Sequence, residues 1–306
     1  MKNKTYVLIT GAHGFLGRNS AKFFNSLGYD VTGIGLGTWD DENFKKFGIN
    51  RWIEDEVSLE NLKKLGVNFD IIIHCAGSGS VGNSLLNPLN DFQMTVNSTA
   101  SILEYMRITG FTGKMIYPSS ASVYGIKEKF PIKETDTLEP ISPYGYHKKI
   151  VEELCKSYVA NYNLSVSIIR FFSIYGWELR KQLLWDACKK FSSAAGRVEF
   201  YGTGSEIRDW IHVDDAVKLI YKATQSKTGF EIINGASGKG IETKEILSLI
   251  SSNFGGKHQI EFNGIVREGD PPCYIADISK ANALGWKPEV PLQVGMEDYV
   301  NWYKNL

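Results

Sequence analysis

Tyr144 and Lys148 stand four residues apart in Ser142-Pro-Tyr-Gly-Tyr-His-Lys-Lys-Ile-Val-Glu-Glu153. In a helix that spacing puts a phenol and an ammonium on one face, one turn apart. The ammonium favours the phenolate and is expected to pull the tyrosine pKa below its ordinary value of about 10. Tyr144 would then serve as an acid/base group near neutral pH. Plain surface helices carry the same spacing, so the surrounding chain has to decide. A second stretch, Ser119-Ser-Ala-Ser-Val-Tyr-Gly125, follows the apolar run Lys114-Met-Ile-Tyr-Pro118. Hydroxyls at a strand's C-terminal end are placed to bond a ligand, although serine and glycine equally suit a simple turn.

The elements that must position these residues are legible in order. Ser142 suits an N-cap and Pro143 a first helical turn, with Ile150, Val151 and Leu154 as the apolar stripe and Glu152 and Glu153 toward water. At the other end of the chain, Tyr6-Val-Leu-Ile-Thr10 reads as a buried strand that runs into Gly11-Ala-His-Gly14-Phe-Leu-Gly17 and a helix from Arg18 to Leu27. Glycines between strand and helix let backbone N–H groups approach a pyrophosphate. The second strand ends at Gly35, where dinucleotide-binding chains usually place a carboxylate on the ribose hydroxyls. No arginine or lysine stands there for a 2′-phosphate, and Asp40 and Asp41 would repel one, so NAD(H) is expected over NADP(H). Phe69 to Gly77 is a further buried strand, followed by the loop Ser78 to Ser84 and a long helix from Asp91 to Arg107 that contains Asn97. Strands and helices alternating at these lengths predict a parallel, doubly wound α/β sheet.

Composition removes other classes. Apolar content of 43% and charged content of 22% suit a soluble globular chain of 306 residues. Thirty-four basic residues balance 34 acidic ones, leaving no global basic field for nucleic acid or anionic membrane. No stretch has the length of a membrane span or signal peptide. The cysteines at 75, 155, 188 and 273 form no C-x-x-C pair, which suits a reduced, cytoplasmic protein. His74 and Cys75 are adjacent in a strand and point to opposite faces, so no metal site is expected there.

Together these stretches resemble the extended short-chain dehydrogenase/reductases, the NAD-dependent epimerase/dehydratase family acting on nucleotide sugars. The resemblance runs nearly end to end. It rests on Thr10 to Gly17, Ser119 to Gly125, Tyr144 with Lys148, the segment Gly202 to Asp215 containing Arg208-Asp-Trp-Ile-His-Val-Asp-Asp215, and Arg267-Glu-Gly-Asp270 with Leu284-Gly-Trp-Lys-Pro288. It implies a Rossmann domain over residues 1–172, a returning strand near 229–235, and a smaller interleaved C-terminal substrate lobe over most of 173–306. The resemblance further implies catalysis by Ser120, Tyr144 and Lys148. Gly11, Gly14, Phe15, Leu16, Gly17, Ala76, Gly77, Asn97 and Lys148 would hold the cofactor. Ser78, Ser119, Ser173, Arg208 and Arg267 would contact a nucleoside-diphosphate sugar. Family members commonly dimerise through the helix bearing Tyr144 and the helix before it.

Departures from the family narrow the expected reaction. Dehydratases that remove the sugar 6-hydroxyl carry Asp-Glu where this chain has Ala121 and Ser122, so 4,6-dehydration is not expected. Ser173 replaces an asparagine that commonly bonds the substrate phosphate, and Gly79 replaces a lysine of galactose-type epimerases. These two changes favour a one-way 4-dehydrogenase or 4-ketoreductase, with a nucleotide-sugar 4-epimerase as the alternative and a non-catalytic dinucleotide-binding protein behind both.

Overall fold

Buried β-branched runs set the architecture. The computed structural model describes residues 4–66, 68–193, 196–265 and 271–306. The chain divides into two compact units, the first formed by Met1–Gly125, Thr137–Phe171 and Val217–Ile233. Its elements in order are β1 (Tyr6–Thr10), α1 (Phe15–Ser26), β2 (Asp30–Gly35), α2 (Asp41–Lys46), β3 (Arg51–Glu54), α3 (Leu59–Lys63), β4 (Ile71–His74), α4 (Val81–Leu86), α5 (Pro88–Phe92), α6 (Ser98–Thr109), β5 (Lys114–Ser120), α7 (Pro143–Tyr162) and β6 (Val166–Phe171). With the later strand Phe230–Gly235 they make a seven-stranded sheet in the order Phe230–Gly235, β6, β5, β4, β1, β2, β3. From β3 to β6 every pairing is parallel. β4 and β6 are buried along their whole length, as strands covered by helices on both faces must be. The order reverses between β1 and β4, the crevice where doubly wound sheets take their ligands.

The helix expected from Asp91 to Arg107 is longer and is interrupted. α5 runs into a π-helical segment, Gln93–Asn97, and then into α6. Within it, Ser98 Oγ donates to Met94 O at 2.6 Å and Thr99 Oγ1 to Thr95 O at 2.7 Å. Hydroxyls bonding back to the preceding turn accompany this widening of the helix. α6 stops at Gly110, whose φ of 63° is the left-handed cap that glycine supplies cheaply. At the start of β5, Lys114 is 6% exposed. Its Nζ donates to Ser226 O (3.0 Å) and Thr228 O (2.8 Å) and pairs with Glu231 at 3.3 Å.

The second unit comprises Ile126–Asp136, Phe172–Ala216 and Asn234–Leu306. After β6 the chain supplies β7 (Ser173–Tyr175), α8 (Gln182–Ser193), β8 (Arg197–Phe200), β9 (Ile207–His212), α9 (Val213–Thr224), β10 (Phe230–Gly235), β11 (Gly240–Glu242), α10 (Thr243–Asn253), β12 (Gln259–Phe262), α11 (Ser279–Ala283) and α12 (Leu292–Lys304). Three strands pair in the order β11, β9, β7, and β12 pairs with β8. α10 begins at Thr243, because Gly240–Glu242 just before it pairs antiparallel with β9. Asp209, fully buried on β9, accepts from Ser237 N, Ser237 Oγ, Gly238 N and Ala276 N. That one carboxylate organises the turns around it. Among the described residues no helix is long and apolar enough to cross a membrane.

Candidate active site

Ser120 and Tyr144 are brought together because the Ala121–Val123 turn and the start of α7 are built to touch. Ser120 ends β5, and its Oγ accepts from Ser122 N at 3.2 Å, capping the one-turn helix Ala121–Val123. Ser142 Oγ caps α7 by accepting from Gly145 N at 3.2 Å. Gly145 then lets α7 press on that turn, since a Cβ there would lie 2.6 Å from Ser122 O. Ser84 Oγ, from α4, accepts from Tyr144 N at 3.1 Å. The result sets the Ser120 hydroxyl near enough to the Tyr144 phenol to favour its ionised form.

Lys148 lies one turn further, 5% exposed, with Nζ donating to Pro118 O at 3.1 Å and standing 4.7 Å from the Tyr117 ring and 5.7 Å from the Tyr144 ring. The spacing argument anticipated a phenol drawn below its ordinary pKa. In the structure burial wins: it pushes Tyr144 up to about 12, with the nearby Ser120 hydroxyl opposing the rise and Asp91 adding to it. Burial likewise brings Lys148 down to about 8. The protein alone therefore holds Tyr144 as a neutral phenol, ready to donate a proton.

The glycine turn fits a dinucleotide. Gly11 has φ 65°, and a Cβ on it would fall 2.7 Å from Ala76 N. A Cβ on Gly17 would overlap Gly11 O and lie 2.8 Å from Ala12 Cα. Gly14, the N-cap of α1, offers no side-chain cap, and the first turn holds no acidic residue. The N–H groups of Phe15, Leu16 and Gly17 at that helix start are thus available to a pyrophosphate. Beside the turn, Ala76 N donates to Thr10 Oγ1 at 3.1 Å and Ser78 N to Thr95 Oγ1 at 3.1 Å. Behind them, His74 is fully buried between Thr10 Oγ1 (2.7 Å from Nδ1) and Thr99 Oγ1 (2.9 Å from Nε2). The Thr99 hydroxyl is already donating to Thr95 O, so Nε2–H must donate to it and Nδ1 must accept from Thr10. Burial keeps this imidazole neutral, with its pKa down at about 3.

The sequence-derived set is not gathered whole. Gly11 to Gly17, Ala76, Gly77, Ser78, Ser120, Tyr144 and Lys148 all belong to the first unit. Ser119 does not offer a free hydroxyl: it is 5% exposed and donates to Glu152 Oε1 at 2.6 Å, because alternation along β5 turns it to the opposite face from Ser120. Asn97 is exposed, and the π-helical segment turns Thr95 toward Gly77 and Ser78 in its place. Ser173 and Arg208 lie in the second unit, on β7 and β9, and Arg208 Nη1 donates to Ile207 O at 3.0 Å. Arg267 lies outside the described residues.

Sequence reasoning missed several residues. Glu152, expected toward water, is 3% exposed and receives Arg170 Nη2 at 2.6 Å as well as Ser119; Arg170 Nη1 donates on to Tyr124 Oη at 3.0 Å. This buried pair ties α7 to β5 and β6 near the Ala121–Val123 turn. The only signal for it was the i, i+4 step from Lys148 to Glu152. No group of histidine, cysteine, aspartate and glutamate side chains suited to a metal ion occurs among the described residues.

Known proteins are similar to this chain over nearly its whole length. The UDP-glucuronate 4-epimerase of Thermodesulfobacterium geofontis is 29% identical, with 98% of this chain and 96% of that one covered. The crystal structure of UDP-glucuronic acid 4-epimerase from Bacillus cereus, in complex with UDP-glucuronic acid and NAD, superposes with a TM-score of 0.90 at 26% identity over 98% of this chain and 99% of that one. A UDP-glucose 4-epimerase from Thermotoga maritima, solved with UDP-glucose, gives a TM-score of 0.90 at 25% identity over 98% and 99%. The profile of the NAD dependent epimerase/dehydratase family matches residues 7–235, which takes in the glycine turn, Ser120, Tyr144 and Lys148, and the chain belongs to that family.

Proposed function

We propose that this protein is an NAD-dependent 4-epimerase of a UDP-sugar. The Ser120 hydroxyl acting on the Tyr144 phenol, with Lys148 one turn away, carries the reading. Oxidised nicotinamide supplies a hydride acceptor and a positive charge when bound. The phenolate form of Tyr144 takes the proton of the sugar 4-hydroxyl as C4 gives up its hydride, leaving a 4-keto sugar. Ser120 hydrogen-bonds the reacting oxygen and stabilises charge there. Lys148 favours the phenolate. After the keto sugar turns over, the same groups act in reverse on its other face, and Tyr144 returns the proton. Cofactor and protein end as they began.

The one-way dehydrogenase or ketoreductase favoured by the sequence gives way to its alternative. Relatives and structural neighbours covering nearly the whole chain are 4-epimerases. Gly79 and Ser173 lie outside the proton-transfer constellation, so those departures bear on ligand contacts and leave the hydride chemistry alone. In this reading the second unit is the substrate lobe, with Arg208 and Arg267 on the diphosphate.

NAD is preferred over NADP in the same reading, and its carboxylate comes from an adjacent strand. Gly35 pairs in register with Glu54, whose Oε1 accepts from Thr38 Oγ1 at 2.9 Å. Arg18, directly after the glycine turn, bonds His13 O and lies 5.0 Å from the Trp39 ring and 4.9 Å from the Phe47 ring. The four cysteines are free thiols, which supports a reducing compartment.

The test is incubation with UDP-glucose, UDP-glucuronate and UDP-N-acetylglucosamine, each deuterated at C4, with NAD present. The expected outcome is interconversion of one pair of C4 epimers with deuterium kept at C4 and no build-up of reduced cofactor. Stoichiometric reduced cofactor with an oxidised sugar would restore the one-way reading.

A further inference from the structure

Asp91 and His147 form a buried pair that the proposed hydride and proton transfers do not use. Asp91 is 1% exposed, in α5 just before the π-helical segment. Its Oδ1 lies 2.5 Å from His147 Nδ1, while its Oδ2 is buried and has no hydrogen-bond partner among the described residues. His147 belongs to α7, three residues after Tyr144 and directly before Lys148, and the Phe92 ring meets its imidazole edge-on at 5.3 Å. A carboxylate with an orphaned oxygen is costly to bury, so a fold that keeps one beside its catalytic turn retains a strong local charge.

We propose that Asp91 and His147 form a charge couple that governs how readily the Tyr144 phenol gives up its proton. With imidazolium the couple is a neutral ion pair. With neutral imidazole it leaves one negative charge, which opposes the Tyr144 phenolate and favours the Lys148 ammonium. The ionisable groups it acts on are Tyr144 and Lys148 from α7 and Tyr117 from β5. Asp91 is thus a positioning residue for charge. It touches neither of the reacting oxygens and acts through the phenol. The proposal rests on the reading of Tyr144 as the proton-transfer group.

Phenolate absorbance of the NAD-loaded protein, taken as the difference between each variant and the same variant carrying Tyr144→Phe, reports the ionisation of Tyr144 without any turnover. Asp91→Asn keeps the volume and an acceptor for His147 but removes the charge. The midpoint should fall by on the order of one pH unit. His147→Gln keeps a donor for Asp91 and leaves the charge, so its midpoint should not fall. Asp91→Ser, equally uncharged and smaller, carries the same expectation as Asp91→Asn if that variant does not fold. An unshifted midpoint in the folded uncharged variant, or an equal fall in His147→Gln, would overturn the couple. Full turnover in Tyr144→Phe would instead overturn the reading beneath it, so the two failures are distinct.

Discussion

Tyr144→Phe removes one hydroxyl from a site whose other parts stay in place. Turnover should fall ~10²–10⁴-fold, the usual contribution of a general acid/base, with dinucleotide affinity kept. Steady-state rates beside a binding titration decide it. Glu54→Gln should reduce discrimination between NAD and NADP by on the order of tenfold, or roughly 1.4 kcal/mol, read from the two dissociation constants. An unchanged ratio would remove Glu54 from the ribose. His74 bears on stability. Its folded pKa of about 3 lies below its ordinary 6.5, so the unfolded chain takes up a proton the folded one refuses. Stability is complete above pH 6.5 and is lost as pH falls toward 3. His74→Asn should flatten the Tm-versus-pH curve across that window. Tyr144, Lys148, Ser120 and the glycine turn were legible because each sits in a short local pattern. Asp91 and His147 are 56 residues apart, and Glu54 reaches Gly35 only through strand register, so no local pattern announces either.

At the scale of elements, the sheet was readable from its apolar runs, while the π-helical segment Gln93–Asn97 was not. One widened turn hardly alters a hydrophobic pattern, yet it decides that Thr95 faces the β4 end and Asn97 faces outward. The approach of α7 to the Ala121–Val123 turn is equally local. Gly145→Ala improves intrinsic helix propensity by up to ~1 kcal/mol but drives a methyl against Ser122 O. A displacement near 1 Å between catalytic groups costs about 10²-fold. The variant should therefore lose about that much in kcat while its Tm changes little, which kinetics and thermal melts check together.

For the whole molecule, α7 carries more apolar surface than one core needs. Tyr146 is 54% exposed and Ile150 39%, and with Lys149, Glu153 and Leu154 they line a groove on its outer face. A helix apolar on more than one side calls for a second partner, and in our reading a second copy of this chain supplies it. The protein should sediment as a dimer at micromolar concentration and Ile150→Glu as a monomer. A wild-type monomer would refute this.

Lys114 has a consequence for how the chain is made. Among the described residues its ammonium, buried at the head of β5, finds its acceptors only at Ser226, Thr228 and Glu231. A nascent chain that has emerged as far as β6 holds the glycine turn, Ser120, Tyr144 and Lys148, yet leaves that cation without partners and β6 without its outer neighbour. During synthesis the first unit therefore stays unfinished while the ribosome translates roughly sixty more codons, most of them for the other unit. Its last strand arrives late, and until then β6 is an open sheet edge beside β5, the kind of edge that can pair with another chain.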